Sequence, residues 1–336
     1  MNKHSNITVR SQGHSAPESS LIERAVTAFD LRNFAAPPVP EQLAVAAPNR
    51  RDAPVLAEPA PQAPVSAMPT EIAGPSQLQR SASGSQPAKF SDVRHPVDRH
   101  HLRDQGMILP EGSVNGLLEE FRIVKRHILL QAAELRRGGG AGGAAQRVLV
   151  CSPLPGEGKT YCAVNLALSM AAEKQGEVLL VDADFAKPSV LTTLGLPGGP
   201  GLMDALADAS VDVADYVLGT DIPGLWVLPA GNATNSDSEF LSSSRTAAVL
   251  DRLTQGAPQR IVIFDSPPVL VASPAAELAK YVGQALMIAR ADRTGQRALE
   301  DAISLLSACP NIELLLNAAS FSPSGRRFGS YYGYGG

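Results

Sequence analysis

The sequence has few of the features that mark three common protein classes. Its three cysteines, Cys151, Cys162 and Cys309, lie in apolar stretches without Cys-x-x-Cys or Cys/His spacing. A disulfide framework and a zinc site are therefore excluded, and we expect three small core residues. No apolar run approaches the roughly 18 to 20 residues that span a bilayer, and no apolar signal region follows the start, so we expect a cytoplasmic protein. The net charge of −4 gives no general attraction to nucleic acid, and we expect no such partner.

A packed core is also not expected in the first third of the chain. Prolines recur among Ala, Val and Gln over residues 37–75, a composition that favours extended backbone over packing. We predict a disordered region over residues 1–105, with one short amphipathic helix near residues 20–32. The histidine-rich stretch at 94–101 is interpreted as solvated linker rather than as a site for a metal or an acidic lipid. A passive tether and a docking segment remain equally open for the region.

From residue 106 the pattern changes to that of a folded domain. The apolar spacing after Pro110 predicts a helix capped by Ser113, which the glycine run at 138–143 ends. Short apolar runs then alternate with helical patterns, as expected of buried parallel strands joined by right-handed crossovers. We predict an α/β fold: a three-layer P-loop NTPase domain with a mostly parallel sheet over 106–320, then a flexible Gly/Tyr tail over 321–336. The predicted strands are 148–150, 178–181, 225–228, 261–264, 285–288 and 314–316.

A phosphate-binding loop is indicated directly after the first of these strands. Pro155-Gly156-Glu157-Gly158-Lys159-Thr160 opens a helical pattern, and glycines there let backbone N–H groups converge on phosphate oxygens. Lys159 would reach the β- and γ-phosphates, and the Thr160 hydroxyl would bind Mg²⁺. Pro153 replaces the usual first glycine, which weakens the motif but not its Gly-x-Gly-Lys-Thr kernel.

Carboxylates end two further predicted strands. Asp182 and Asp184 follow the second strand, and Asp265 follows another. Ligands of a doubly wound sheet bind beyond the carboxyl ends of its strands, so these acids should lie near the loop, with Asp265 placed to hold Mg²⁺ directly or through water. One strand-end Asp alone would as readily cap the next helix.

Tyrosines are concentrated at the end of the chain. Three of the six, Tyr331, Tyr332 and Tyr334, lie in the last six residues among glycines. A glycine-rich tail cannot bury them, so they are natural phosphoryl acceptors beside a nucleotide site. A low-complexity end without function is the alternative.

Together these residues resemble the bacterial tyrosine kinases of capsule and exopolysaccharide systems, over residue 107 to the end. The Ser-Leu-Ile-Glu-Arg-Ala stretch at Ser20 and the Asp-Ala-Asp form at Asp182 are similar to the subgroup of exosortase and exopolysaccharide loci. The resemblance implies ATP and Mg²⁺ as cofactors and autophosphorylation of the tail in trans. The residues implied are Lys159, Asp182, Asp184 and Asp265 for catalysis; Gly156, Glu157, Gly158, Lys159, Thr160, Tyr161 and Asn317 for the nucleotide; and Thr160, Asp182 and Asp265 for the metal.

The resemblance also implies partners. A separate membrane-embedded chain-length regulator would activate the kinase and hold it at the inner membrane. The segment Glu119 to Arg126 is similar to the Glu-x-x-Arg-x-x-Arg helix through which such kinases form rings, with Lys125 in the final place.

Departures from the family pattern keep two other functions open. Pro274 stands where relatives often have an acidic residue, and Lys187 is displaced by one place from the family's basic residue, so activity could be slow or lost. A nucleotide-binding pseudokinase scaffold is one alternative. A partition-type ATPase switch is the other, but Leu154 occupies the place of its signature lysine.

Overall fold

A computed structural model of the chain describes residues 87–139, 142–173, 176–232 and 237–319. The N-terminal region to residue 86, with the helix expected near 20–32, and the C-terminal segment with its tyrosines lie outside the described residues. The helices are α1 (Arg99–Asp104), α2 (Gly116–Arg137), α3 (Lys159–Ala171), α4 (Val190–Leu194), α5 (Leu202–Ala207), α6 (Asp237–Ser242), α7 (Ser244–Thr254), α8 (Pro274–Leu278) and α9 (Gln296–Leu305). The strands are β1 (Arg94–His95), β2 (Arg147–Cys151), β3 (Glu177–Asp182), β4 (Leu218–Thr220), β5 (Leu225–Leu228), β6 (Arg260–Asp265), β7 (Gln284–Arg290) and β8 (Ile312–Asn317).

The strands form one sheet in the order β1-β4-β5-β3-β6-β2-β7-β8. Every neighbouring pair is parallel except β4 with β5. The six predicted strands correspond to β2, β3 and β5 to β8, and the mostly parallel sheet is confirmed. The two strands that were not predicted, β1 and β4, are two and three residues long, too short for an apolar pattern.

Two apolar clusters cover opposite faces of the sheet, which gives the predicted three layers. On one face, Val148, Val150 and neighbouring strand residues pack against α2 and α3. On the other face, Leu149, Phe264 and their neighbours pack against α5, α7, α8 and α9. Alternate residues of β2 thus enter opposite cores, as the period of two in a strand requires. The three cysteines are all buried, as expected.

Helix α2 covers one end of the first face, and its start corrects the predicted cap. Asn115, not Ser113, is the N-cap, because its side chain accepts the Leu118 N–H at 2.9 Å. The helix ends at Arg137 with Gly138 as C-cap, where the glycine run was expected to end it. No helix among the described residues has the length and apolarity needed to cross a bilayer.

The folded unit takes in residues N-terminal of the predicted boundary at 106. Strand β1 pairs with β4, Leu102 of α1 is fully buried, and Phe90 packs edge-on against Trp226. The histidine-rich stretch is therefore structured, contrary to its interpretation as linker. Its polar composition hid a short strand and a helix with one buried apolar residue.

Candidate phosphate-binding site

The predicted phosphate loop joins β2 to α3 at the carboxyl edge of the sheet. Its turns depend on Gly156 and Gly158, whose φ angles are +76° and +96°, a region that disfavours other residues. No described protein acceptor receives the backbone N–H groups of residues 156–160. A concave group of unpaired N–H donors at a helix N-terminus is a ready anion site.

Two carboxylates lie beside this loop, because Asp182 and Asp265 are paired in register on the adjacent strands β3 and β6. Asp265 is fully buried, and neither of its carboxylate oxygens has a hydrogen-bond partner among the described residues. Burial raises its pKa to about 7, and the Asp182 charge adds to this, while the Thr160 hydroxyl and the Lys159 ammonium act the other way. An unpaired buried carboxylate is costly unless a cation joins it, so the residue fits a metal ligand.

Asp182 is buried as well, but its oxygens are largely used by the backbone. They accept N–H groups of Ser189 and Val190 at 2.9 Å and of Asp184 at 3.2 Å. Burial raises the pKa of Asp182 to about 6 against the lowering effect of these bonds. Asp182 therefore also fixes the loop that leads from β3 into α4.

The Thr160 hydroxyl lies 3.2 Å from the Ser189 hydroxyl, and Lys159 is buried without an ion pair to any described residue. Ser189 was not identified from the sequence, because a serine directly before a short apolar helix is typical of an N-cap. No group of three or more His, Cys, Asp or Glu among the described residues could hold a metal by itself. A Mg²⁺ ion here would draw on Thr160 and Asp265 and otherwise on phosphate and water oxygens, as Mg²⁺ commonly does.

Three other predicted site residues face elsewhere or are partly engaged. The Tyr161 hydroxyl donates to Gly106 O at 2.9 Å, so its side chain contacts the segment before α2 rather than the loop. Asp184 is half-buried and accepts the Lys187 N–H at 3.1 Å. The Lys187 side chain is exposed.

Asn317, at the end of β8, does lie against the loop. Its side-chain amide donates to Glu157 O at 2.8 Å. The site therefore collects residues from the ends of β2, β3, β6 and β8, which are distant in sequence. Gly156, Gly158, Lys159, Thr160, Asp182, Asp265 and Asn317 are the predicted residues that the fold brings together.

Glu157 has contacts that the sequence did not indicate. It is 2% exposed, and its carboxylate accepts the Leu154 N–H at 2.8 Å and the Thr294 hydroxyl. Arg290 donates to Gly156 O at 3.1 Å. Arg290 is the last residue of β7, and Thr294 lies in the loop after it. No sequence motif marks either residue.

The comparisons with known proteins agree with this geometry. The chain is 33% identical over 190 residues to the putative tyrosine-protein kinase EpsB of Ralstonia nicotianae, an alignment that covers 55% of this chain. It is 27% identical over 220 residues to the tyrosine-protein kinase YwqD of Bacillus subtilis, covering 65% of this chain and 86% of YwqD. The chain is related to the bacterial tyrosine-protein kinases.

A solved structure has the same fold as this chain. The chimerical protein CapA2B2 superposes with a TM-score of 0.53 at 23% identity, over 68% of this chain and 95% of that one. No family model matches the chain. The chain spans only 24% of the length of the EpsB protein, so most of that relative has no counterpart in the alignment.

Proposed function

We propose that this chain is an ATP-dependent protein-tyrosine kinase. Two observations carry the proposal: the backbone N–H groups of residues 156–160 have no acceptor among the described residues, and neither does the buried carboxylate of Asp265 have a hydrogen-bond partner there. Phosphoryl transfer needs little else than positioning and charge stabilisation. The names of the curated relatives, tyrosine-protein kinases in several bacteria, give the acceptor.

Each residue has a role that follows from its place. The loop N–H groups bind the phosphates, Lys159 stabilises charge on the transferring phosphoryl group, and Asn317 lies toward the nucleoside. Thr160 and Asp265 hold Mg²⁺, which when bound would neutralise phosphate charge. Asp182 retains one free lone-pair direction beside its three backbone bonds, and there it orients the acceptor hydroxyl and takes its proton. Asp184 adds negative charge to this edge.

The acceptors in this proposal are Tyr331, Tyr332 and Tyr334, phosphorylated in trans by a neighbouring copy. A cavity of about 270 Å³ opens beside Asp182, lined among others by Pro188, Leu191, Leu196 and Pro229. Apolar side chains beside the Asp182 carboxylate and the Thr192 hydroxyl suit a phenol side chain, whose ring is apolar and whose tip is polar.

Assembly into a ring through α2 is part of the proposal. The outer face of α2 exposes Ile123, Arg126 and Leu130, and Glu119 pairs with Arg122 on the same helix. Lys125, expected at the contact, is buried and paired with Glu173 at 2.6 Å. The contact between copies would therefore use Arg126 in its place.

The partner and the biological setting follow from the kind of relative that the chain matches. We propose that a membrane-embedded chain-length regulator activates the kinase and holds it at the cytoplasmic side of the inner membrane. Phosphorylation would then regulate exopolysaccharide polymerisation and export. The CapA2B2 chimera is, by its name, a protein joined from two components.

The experiment compares wild type with Lys159→Met. Incubated with Mg-ATP and an activator fragment, the wild-type chain should gain phosphotyrosine on the last six residues, detected by intact mass and phosphopeptide analysis. Lys159→Met should lose it by about a hundredfold or more, the scale of removing one group that stabilises transition-state charge. Lys89→Met, which removes an exposed ammonium, is the control and should behave as wild type.

Two outcomes separate the alternatives. ATP binding without phosphotyrosine, even with activator, would favour the scaffold function. ATP-dependent dimerisation without phosphotyrosine would favour a partition-type switch, although Leu154 at the loop lacks the ammonium that such a switch would extend to its partner.

A further inference from the structure

An anionic side chain inside a loop built for anions requires an explanation. Glu157 lies between the two turning glycines and is 2% exposed. Its charge has the same sign as a phosphate, so it opposes binding by simple Coulomb repulsion. A group with that cost is expected to serve through its hydrogen bonds.

The hydrogen bonds of Glu157 join two parts of the phosphate loop and also connect that loop to the loop after β7. One carboxylate oxygen accepts the Leu154 N–H at 2.8 Å, closing the loop across three residues. The other accepts the Thr294 hydroxyl. The Thr294 oxygen in turn accepts the Arg290 N–H at 2.7 Å, so its position is fixed by the end of β7.

Two backbone carbonyls of the loop are held from the same side. Arg290 donates to Gly156 O at 3.1 Å, and Asn317 donates to Glu157 O at 2.8 Å. With the carbonyls and the carboxylate bonded to β7 and β8, the unpaired N–H groups are left to face the other way. The direction of the phosphate donors is thus set before a nucleotide arrives.

Prolines restrict what remains of the loop. Pro153 and Pro155 flank Leu154, and each proline ring fixes φ near −65°. Pro155 also has no N–H, and the Leu154 N–H is taken by Glu157. The donors for phosphate therefore begin at Gly156, and Leu154 is the one residue between the prolines that Glu157 must hold.

We propose that Glu157 is a positioning residue which, with Thr294, locks the phosphate loop in its anion-accepting conformation in the nucleotide-free chain. It acts through the loop N–H groups and not by touching the nucleotide. The inference rests on the nucleotide-binding part of the proposed function and does not depend on tyrosine as acceptor. Without the lock, nucleotide binding must order the loop, and affinity falls by that cost.

The test measures the Kd for Mg-ADP by calorimetry on the full chain. Glu157→Ala should raise the Kd by about tenfold or more, since a charge-assisted bond contributes about 1.5–3 kcal/mol. Thr294→Val should raise it by a smaller factor, and the double variant should be no weaker than Glu157→Ala alone. Glu157→Gln keeps an acceptor for Leu154 and a donor toward Thr294, so it should bind within about threefold of wild type, as should Thr294→Ser.

Thr220→Val is the matched control for a merely structural effect. The Thr220 hydroxyl is buried and donates to Leu225 O at 2.9 Å, at the amino edge of the sheet. This variant should lower the melting temperature without changing the Kd. The inference would be overturned if Glu157→Ala had the same Kd as wild type. It would also be overturned if Thr220→Val raised the Kd as much as Glu157→Ala does. A wild type that binds no nucleotide would overturn both this and the proposed function, whereas normal binding without phosphotyrosine would overturn only the kinase.

Discussion

Two buried carboxylates, Asp182 and Asp265, lie side by side at the ends of adjacent strands, and their ionisation opposes folding. Their ordinary pKa is 3.8, and burial is the first cause that raises it, to about 6 and about 7. A folded-state pKa above the unfolded one means that the folded chain binds protons more tightly. Proton binding by these two carboxyls therefore stabilises the folded chain. This stabilisation is complete below about pH 4 and is lost as the pH rises through about 6 and about 7.

Asp265→Asn should remove much of this loss. The free energy of unfolding of the nucleotide-free wild type should fall between pH 4 and pH 8, by about 1.4 kcal/mol for each unit of pKa difference. For Asp265→Asn the fall should be smaller, so that the variant is more stable than wild type at pH 8 by a few kcal/mol. Urea unfolding in a chelating buffer at several pH values measures this.

Asp301→Asn, at an exposed position of α9, serves as the control and should follow wild type at every pH. If Asp265→Asn instead lost stability at pH 8 relative to pH 4 as steeply as wild type, the buried carboxylate would not be the cause.

At the scale of elements, α2 has two faces with different tasks. Its inner face packs Leu118, Phe121 and Ile128 into the core. Lys125 belongs to this inner side, where it also donates to Ser169 O at 3.3 Å on α3. The exposed outer face includes Ile123, Arg126 and Leu130.

Arg126→Glu should therefore break the proposed ring while Lys125→Met leaves it intact. Reversing an exposed charge at a contact replaces attraction by repulsion, whereas Lys125 lies within its own chain. Light scattering coupled to size exclusion should show a smaller mass for Arg126→Glu at the same concentration. A ring that survives Arg126→Glu but dissociates with Lys125→Met would mean that the copies meet on a different face.

Some of these elements could be predicted from the sequence, whereas several contacts between them could not. Strand β6 is a nearly continuous apolar run closed by Asp265, and the phosphate loop is a local motif, so both were predictable from neighbouring residues. The Glu157–Thr294 bond spans 137 positions, and the buried Lys125 pairs with Glu173, which lies beyond the end of α3. Such contacts can be predicted only when the order of the strands in the sheet is known, and local sequence patterns do not contain that order.

For the whole molecule, the position of the domain start has a direct test. A chain beginning at residue 106 lacks β1, α1 and the buried side chains of Val97 and Leu102. Each buried aliphatic side chain contributes about 1.5–3 kcal/mol, and 1 kcal/mol shifts the melting temperature of a domain this size by about 2–4 °C. We expect a loss of about 10 °C by circular dichroism.

A chain beginning at residue 87 is the matched comparison and should melt with the full-length protein. Equal melting of the chains from 87 and from 106 would place the domain start where the amino-acid pattern first suggested it.

Strand β8 supports the phosphate loop, and it is the last strand of the described residues before the tyrosines. Asn317 at its end is bonded to Glu157 O, and Tyr331 follows 14 positions later. The residues that carry the tyrosines therefore follow in sequence on the strand whose last side chain holds the loop. In the proposed reaction in trans, a neighbouring copy would capture a segment only 14 positions from the side chain that holds the captured chain's own phosphate loop, so the acceptor and donor parts of one subunit would be coupled through β8.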